Sequence, residues 1–239
     1  MSERLCLIVP CKDEELGLSS LFGRLDALAD EFAGAVALEF VFVDDGSTDT
    51  TWRLLQERAA ARVDTRVCRH ERNRGLAAAI ATGMAVTDAE LCASIDADLS
   101  YDPAELLPMA RLLGSSGADV VTASPYHPAG RVVGVPPWRL LLSRGLSCCY
   151  RLLLRSGLRT WTSCCRVYRR PFVAGIELAN PGFLGTAELL VRVLRRGGRV
   201  AEHPCTLGVR RFGASKMKIA RTVGQHLRLL LRVALGRVS

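Results

Sequence analysis

Two short runs, Leu5–Pro10 and Glu39–Val43 (EFVFV), are apolar almost without interruption and each ends abruptly in polar residues. A strand of this kind is buried on both faces, which is the condition of a parallel sheet lying between two layers of helix. Parallel neighbours need crossovers, and helical stretches lie between the runs. The sequence predicts helices over Thr48–Arg62, Ala-rich Gly75–Val86 and Pro103–Leu113, the last with proline in its first turn, and strands over Glu90–Ile95 and Ala118–Ala123. The β-α-β alternation predicts an α/β fold, a Rossmann-like, mostly parallel, doubly wound sheet flanked by helices, with right-handed crossovers over roughly the first 125 residues. The Gly/Pro punctuation of His127–Pro137 marks a long loop. Beyond it the expectation is a helix at Trp138–Leu154, a short strand at Arg166–Tyr168, a helix at Thr186–Arg196, a strand at Val200–Cys205 and a last helix at Ile219–Leu235. The 239 residues read as one domain, with a ligand-binding part in 1–125 and a second part in 126–239.

Charge divides the chain where that loop falls. Residues 1–130 hold 11 Lys/Arg against 21 Asp/Glu, and residues 131–239 hold 21 against 3, so the parts carry −10 and +18 within a net +8. A cation suits the acidic part; a phosphorylated substrate or an anionic lipid surface suits the basic part. Nucleic acid is not expected, because aromatic residues, which would supply stacking platforms, make up only 6% of the chain and no recognition motif occurs. Nine cysteines, an odd number with two vicinal pairs and no C-x-x-C spacing, read as reduced thiols, and four scattered histidines exclude a zinc pattern. No stretch nears the roughly 20 apolar residues of a spanning helix, and no signal-peptide pattern opens the chain. The expectation is a cytoplasmic protein.

Acidic clusters follow two of the expected strands. Asp44-Asp45-Gly46-Ser47-Thr48-Asp49 comes directly after EFVFV, and Asp96-Ala97-Asp98 after Glu90–Ile95. In open α/β sheets ligands bind beyond the carboxyl ends of strands. A turn with a helix cap from Ser47 or Thr48 accounts for part of the first cluster. Carboxylates at i and i+2 around a strand end approach one site, which suits Mg²⁺ or Mn²⁺, hard cations that keep positions open for phosphate oxygens.

In order along the chain, the segments IVPCKDEELGL, FVDDGSTDTT, NRGLAAAIATGM, ASIDADLSYDPAEL, LLSRGLSCCYRLLL, TSCCRVYRR, GFLGTAELLVR and RRFGASK resemble the family 2 glycosyltransferases of GT-A fold, and most closely the polyprenyl (dolichyl) phosphate mannosyltransferases. The resemblance implies that Pro10 and Glu14 line a nucleotide pocket, with Lys12 and Asp13 where the family usually has an aromatic residue and Asn. It implies that Asp44, following Val43, meets the nucleoside base. Asp96, Ala97 and Asp98 fall at the metal and diphosphate site, with Ser100 where many relatives use Gln as a further ligand. Glu188 falls on the family's Glu after the Gly-Phe pair. Arg210 and Lys216, either side of Phe212–Ser215, match the basic pair that contacts phosphates. Asp98, Arg210, Lys216 and Glu188 are thereby the candidate catalytic set. Pro125, Thr160 and Cys164-Cys165 depart from the pattern, standing where relatives often have Arg, Asp and Gly-Phe.

The implied reaction moves a hexose, mannose by kinship, from a nucleotide sugar, GDP-mannose favoured, to polyprenyl phosphate. Such an acceptor is already anionic at pH 7, its second pKa being about 6, and needs no strong general base. Direct displacement inverts the anomeric centre. Arg144, Arg151 and Arg155, and likewise Arg221, Arg228 and Arg232, are spaced 7 and 4 apart on leucine-rich segments, so both segments read as amphipathic helices suited to a peripheral position on an anionic membrane face. Two other readings stay open: an acceptor hydroxyl, for which Glu188 is the candidate base, and a non-catalytic nucleotide-sugar-binding relative.

Overall fold

The two apolar runs form neighbouring central strands. β1 (Arg4–Cys11) pairs in parallel with β2 (Ala37–Asp44) in the register Cys11 to Asp44, so both strands end at the same edge. The structure, a computed structural model, describes residues 4–33, 36–210 and 219–238. Alternate residues of β1 feed two cores. Leu5, Leu7 and Val9 pack with Leu18, Leu21, Leu25, Leu28 and Phe32 of α1 (Leu18–Phe32), an apolar stripe at helical spacing. Cys6 and Ile8 pack on the other face with α3 (Leu76–Ala85) and α7 (Leu184–Arg195).

The remaining elements, in chain order, are α2 (Thr51–Ala61), β3 (Thr65–Arg69), β4 (Leu91–Ser94), a 3₁₀ turn at Pro103–Glu105 running into α4 (Leu106–Ser116), β5 (Val120–Ser124), β6 (Arg131–Val132), α5 (Pro137–Leu153), β7 (Arg166–Arg169), α6 (Arg170–Val173), β8 (Val200–Pro204), β9 (Thr206–Leu207) and α8 (Ile219–Ala234). Among the described residues the main sheet has seven strands in the order β3-β2-β1-β4-β7-β5-β8. Six run in one direction. β7 runs against them, hydrogen-bonded to β4 on one side and β5 on the other.

The α/β expectation is met, with corrections. The sheet is not confined to the first 125 residues, since β7 and β8 complete it. α2 begins at Thr51 rather than Thr48, and its entry is bonded by Asp49, whose Oδ1 accepts from Thr51 N at 2.9 Å, not by Ser47 or Thr48. The loop expected at 127–137 holds β6, which pairs in parallel with β9 and so ties the segment after β8 to the loop after β5. All nine cysteines are free thiols.

α5 and α8 pack on each other outside the sheet, with the Tyr150 ring stacked on Trp161 at 4.9 Å and hydrogen-bonded to His226. Each helix buries one face and exposes leucines on the other: Leu141 and Leu152 on α5, and Leu227 and Leu231 on α8, with Leu235 exposed just after it. Arg144, Arg151, Arg155, Arg228 and Arg232 are exposed beside them. The side chain of Arg221 lies outside the described part. No described helix is long and apolar enough to cross a membrane.

Candidate active site

Beyond the carboxyl ends of β1 and β4 lies a cleft of about 580 Å³, lined by residues of both parts of the chain. Its floor comes from the segments that follow those strands. Lys12 and Asp13 turn out of β1 in a tight bend, Asp13 at φ +49°. Asp13 Oδ1 accepts from Thr48 N at 2.7 Å, Lys12 Nζ donates to Gly46 O at 2.5 Å, and Glu14 N donates to Thr51 Oγ1 at 2.8 Å. The loops after β1 and β2 are thus one bonded unit.

Of Asp44, which ends β2, and Asp45, which follows it, it is Asp45 that reaches the cleft. Its carboxylate accepts from Arg74 N at 2.7 Å and Gly75 N at 2.8 Å and contacts His70 Nδ1 at 2.8 Å, which fixes the 73–75 loop against the cleft. Gly75 is required there: it sits at φ +106°, and a Cβ would come within 2.6 Å of Pro181 O. Asp44 is fully buried and, like Val43, stands behind the wall. Asp44 Oδ1 accepts from Ser47 N at 2.9 Å, while Oδ2 lies 3.0 Å from Arg69 Nε as an ion pair without hydrogen-bond alignment, leaving that oxygen with unused acceptor capacity.

The second acidic cluster meets the basic part directly. Leu99 takes the left-handed φ of +57°, uncommon for leucine, and in that bend Ser100 N donates to Asp98 Oδ1 at 2.9 Å. Asp98 Oδ2 is left facing the cleft, where Arg210 Nε donates to it at 3.1 Å, while Nη1 of the same guanidinium donates to Glu14 Oε1 at 3.0 Å. Arg210 arrives there because the chain after β9 is strapped down: Gly208 N donates to Ser100 O at 2.8 Å and Val133 N to Leu207 O at 2.8 Å. Burial, and then the neighbouring Asp98 charge, push the Asp96 carboxyl up to about 7, with Arg210 opposing.

These residues fit a hard divalent cation. The donors are carboxylate oxygens, and the cost of holding Asp96 and Asp98 both ionised side by side is relieved by a positive charge between them. Among the described residues no third His, Cys, Asp or Glu converges with them.

Of the sequence-expected residues, Pro10, Lys12, Glu14, Asp96, Ala97, Asp98, Ser100 and Arg210 line one cleft. Lys216 lies outside the described residues. Glu188 is a correction: it is buried and absent from the cleft wall. Its carboxylate accepts from Ala179 N at 3.0 Å, Asn180 N at 2.9 Å and Asn180 Nδ2 at 2.6 Å, and pairs with Arg192 at 2.9 Å. Burial pushes this carboxyl up, but those bonds and the Arg192 charge outweigh it and hold the group below its ordinary range. A carboxylate so engaged is a clasp for the loop before α7, not a base aimed at an acceptor. Sequence reasoning missed Asp45, whose signal was its place beside Asp44 at a strand end. It also missed the wall formed by Tyr126, Thr162 and Ser163, for which no pattern exists.

The family model Glycosyl transferase family 2 matches residues 6–174. The dolichol-phosphate mannosyltransferase of Pyrococcus furiosus is 30% identical over 234 residues, 96% of this chain, which spans 63% of that relative's length. The polyprenol monophosphomannose synthase of Mycolicibacterium smegmatis is 32% identical over 225 residues, covering 90% of this chain and 82% of the relative. Among solved structures, glucosyl-3-phosphoglycerate synthase from Mycobacterium tuberculosis, in complex with Mn²⁺, uridine diphosphate and glucosyl-3-phosphoglycerate, superposes with TM-score 0.70 over 99% of this chain and 80% of that one, at 21% identity. That likeness carries the fold.

Proposed function

The chain belongs to glycosyl transferase family 2, and from that premise we propose that it moves mannose from GDP-mannose to a polyprenyl phosphate, with inversion at the anomeric carbon. The observation that supports this most is Arg210, a cation delivered from the basic part of the chain to Glu14 and Asp98 in the acidic part. Transfer between a nucleoside diphosphate sugar and a lipid phosphate brings one polyanion up to another, and that needs fixed positive charge in the cleft.

In this reading Pro10, Lys12 and Glu14 flank the nucleotide, and Asp44, buried behind them and paired with Arg69, supports that wall rather than meeting the base. Asp96 and Asp98 would hold a divalent cation, with Ser100 beside them. Such an ion, when bound, supplies Lewis-acid stabilisation of the departing diphosphate. Arg210, with Lys216 as its expected companion, draws the acceptor phosphate to the sugar. Leaving a clasped Glu188 out of the chemistry is consistent with an acceptor that is already an anion. The exposed leucines of α5 and α8, edged with arginine, support a peripheral position at a cytoplasmic membrane face, where such a lipid would be met.

The test is a thermal-shift panel of nucleoside diphosphate sugars with and without Mn²⁺, followed by transfer to polyprenyl phosphate and NMR of the product anomer. GDP-mannose with Mn²⁺ is expected to stabilise most, and the product to be β-linked. No stabilisation by any donor in either metal condition overturns the reading.

A further inference from the structure

Resting on that function, in which the part of the chain after residue 125 meets the acceptor, we propose that Glu202 and Arg166 are positioning residues: a pair of buried opposite charges that grips the backbone of residues 159–161 and so sets the acceptor-side wall of the cleft. Residues 131–239 contain only three carboxylates, Glu177, Glu188 and Glu202. The Glu202 side chain is 7% exposed, and among the described residues the cation paired with it, Arg159 Nη1, stands 3.9 Å away on a side chain 42% exposed. What compensates Glu202 is neutral: its Oε1 accepts from Arg159 N at 2.8 Å, Thr160 N at 2.8 Å and Ser124 Oγ at 2.9 Å.

Arg166 is its counterpart. It is fully buried and, among the described residues, has no carboxylate partner. Its guanidinium donates to Trp161 O at 2.9 Å, Thr186 O at 2.6 Å and Thr122 Oγ1 at 3.2 Å. The sheet explains why both charges meet one loop. Thr122 pairs with Glu202 on β8 and with Arg166 on β7, so the three side chains occupy one row on one face. The loop lies over that row with two amide N–H groups on the anion and the next carbonyl on the cation. A buried ion costs free energy unless its bonds are satisfied, so each charge holds the loop in the one conformation that satisfies it.

That loop is cleft wall. Thr160, Thr162, Ser163 and Cys164 line the cleft, whereas Glu202 and Arg166 do not. Ser124, bonded to the same Glu202 oxygen, contacts Thr160 Oγ1 at 2.8 Å and leads into Pro125 and Tyr126, which also line it. One carboxylate therefore gathers two wall segments. On the donor side the bonds are different ones: Lys12 Nζ donates to Gly46 O, Glu14 N to Thr51 Oγ1, and Glu14 Oε1 accepts from Arg210 Nη1.

Glu202→Ala and Glu202→Gln test this in the full chain, with KM and kcat measured for donor and acceptor separately, donor Kd by calorimetry, and amide exchange at Arg159 and Thr160. Expected for Glu202→Ala is a loss of about 100-fold in kcat/KM for the acceptor, with donor Kd within about twofold and faster exchange at the two amides. Glu202→Gln, which keeps an acceptor oxygen without the charge, is expected to recover about tenfold of that loss, and it carries the test if the alanine variant does not fold. Wild-type kinetics in both variants, or equal losses for donor and acceptor, overturn the proposal. A wild type that binds nucleotide sugar yet transfers nothing to polyprenyl phosphate overturns the function proposed above instead. The clamp is then decided by exchange alone, and protection at Arg159 and Thr160 that is unchanged in Glu202→Gln and Glu202→Ala refutes it.

Discussion

Asp98 is held from two directions, by the Ser100 amide and by the Arg210 guanidinium, and it is the side chain on which the proposed chemistry converges. Asp98→Asn keeps an oxygen for Ser100 but loses the charge. It is expected to lower kcat by about 100-fold or more and to abolish the Mn²⁺-dependent part of donor stabilisation in thermal shift; activity within threefold of wild type would falsify the assignment. Glu188→Gln is expected to do the reverse. It weakens four bonds to a buried carboxylate, costing on the order of 1–3 kcal/mol in urea denaturation, while kcat for the lipid acceptor stays within about tenfold. A collapse of turnover at unchanged stability would restore Glu188 as a base. That Asp96 and Asp98 face one cleft was legible in sequence from their i, i+2 spacing just after an expected strand. Arg210 was legible only through resemblance, since its contacts lie 112 and 196 residues away along the chain and no local pattern encodes them. Glu188 misled because a clasping carboxylate and a catalytic one are the same residue type.

Among the elements, α8 gives a measurable signature through His226, which is 2% exposed with Nδ1 3.0 Å from the Tyr150 hydroxyl. Burial lowers its pKa from 6.5 to about 4. The unfolded chain therefore binds a proton in a range where the folded one does not, and stability falls as pH drops from about 6.5 towards 4. Between pH 7.5 and pH 5 the expected loss from this group is on the order of 2 kcal/mol. Urea midpoints for wild type and His226→Gln should diverge above pH 6 and converge on acidification; parallel pH profiles would show that α8 does not bury this ring in solution. The long amphipathic helices and the apolar strands could be read directly from periodicity. β3 (TRVCR) could not, because this edge strand has only five residues, two of them arginines, and its burial does not alternate. The sequence indicated that β7 exists but not its direction, because direction is set by which neighbours it reaches, not by its four residues.

At the scale of the molecule, the basic part of the chain carries a set of exposed leucines on α5 and α8. The leucines at 141, 152, 227, 231 and 235 are all at least 55% exposed, and arginines flank them. Flotation with vesicles containing anionic lipid is expected to carry the protein upward. Leu227→Glu combined with Leu231→Glu should cut the bound fraction by about tenfold without changing donor affinity, and high salt should weaken the wild type in part. Failure of the wild type to float would detach these helices from any bilayer role. A different consequence follows from the antiparallel strand. β4 and β5 share no hydrogen bonds; β7 stands between them. During synthesis on a ribosome the first 125 residues emerge with that seam open, and β5 has no partner until residue 166 has followed. The segment that holds the residues proposed to flank the nucleotide is therefore born unfinished, and a fragment ending at residue 130 should behave in expression trials as an aggregating intermediate rather than as a smaller working protein.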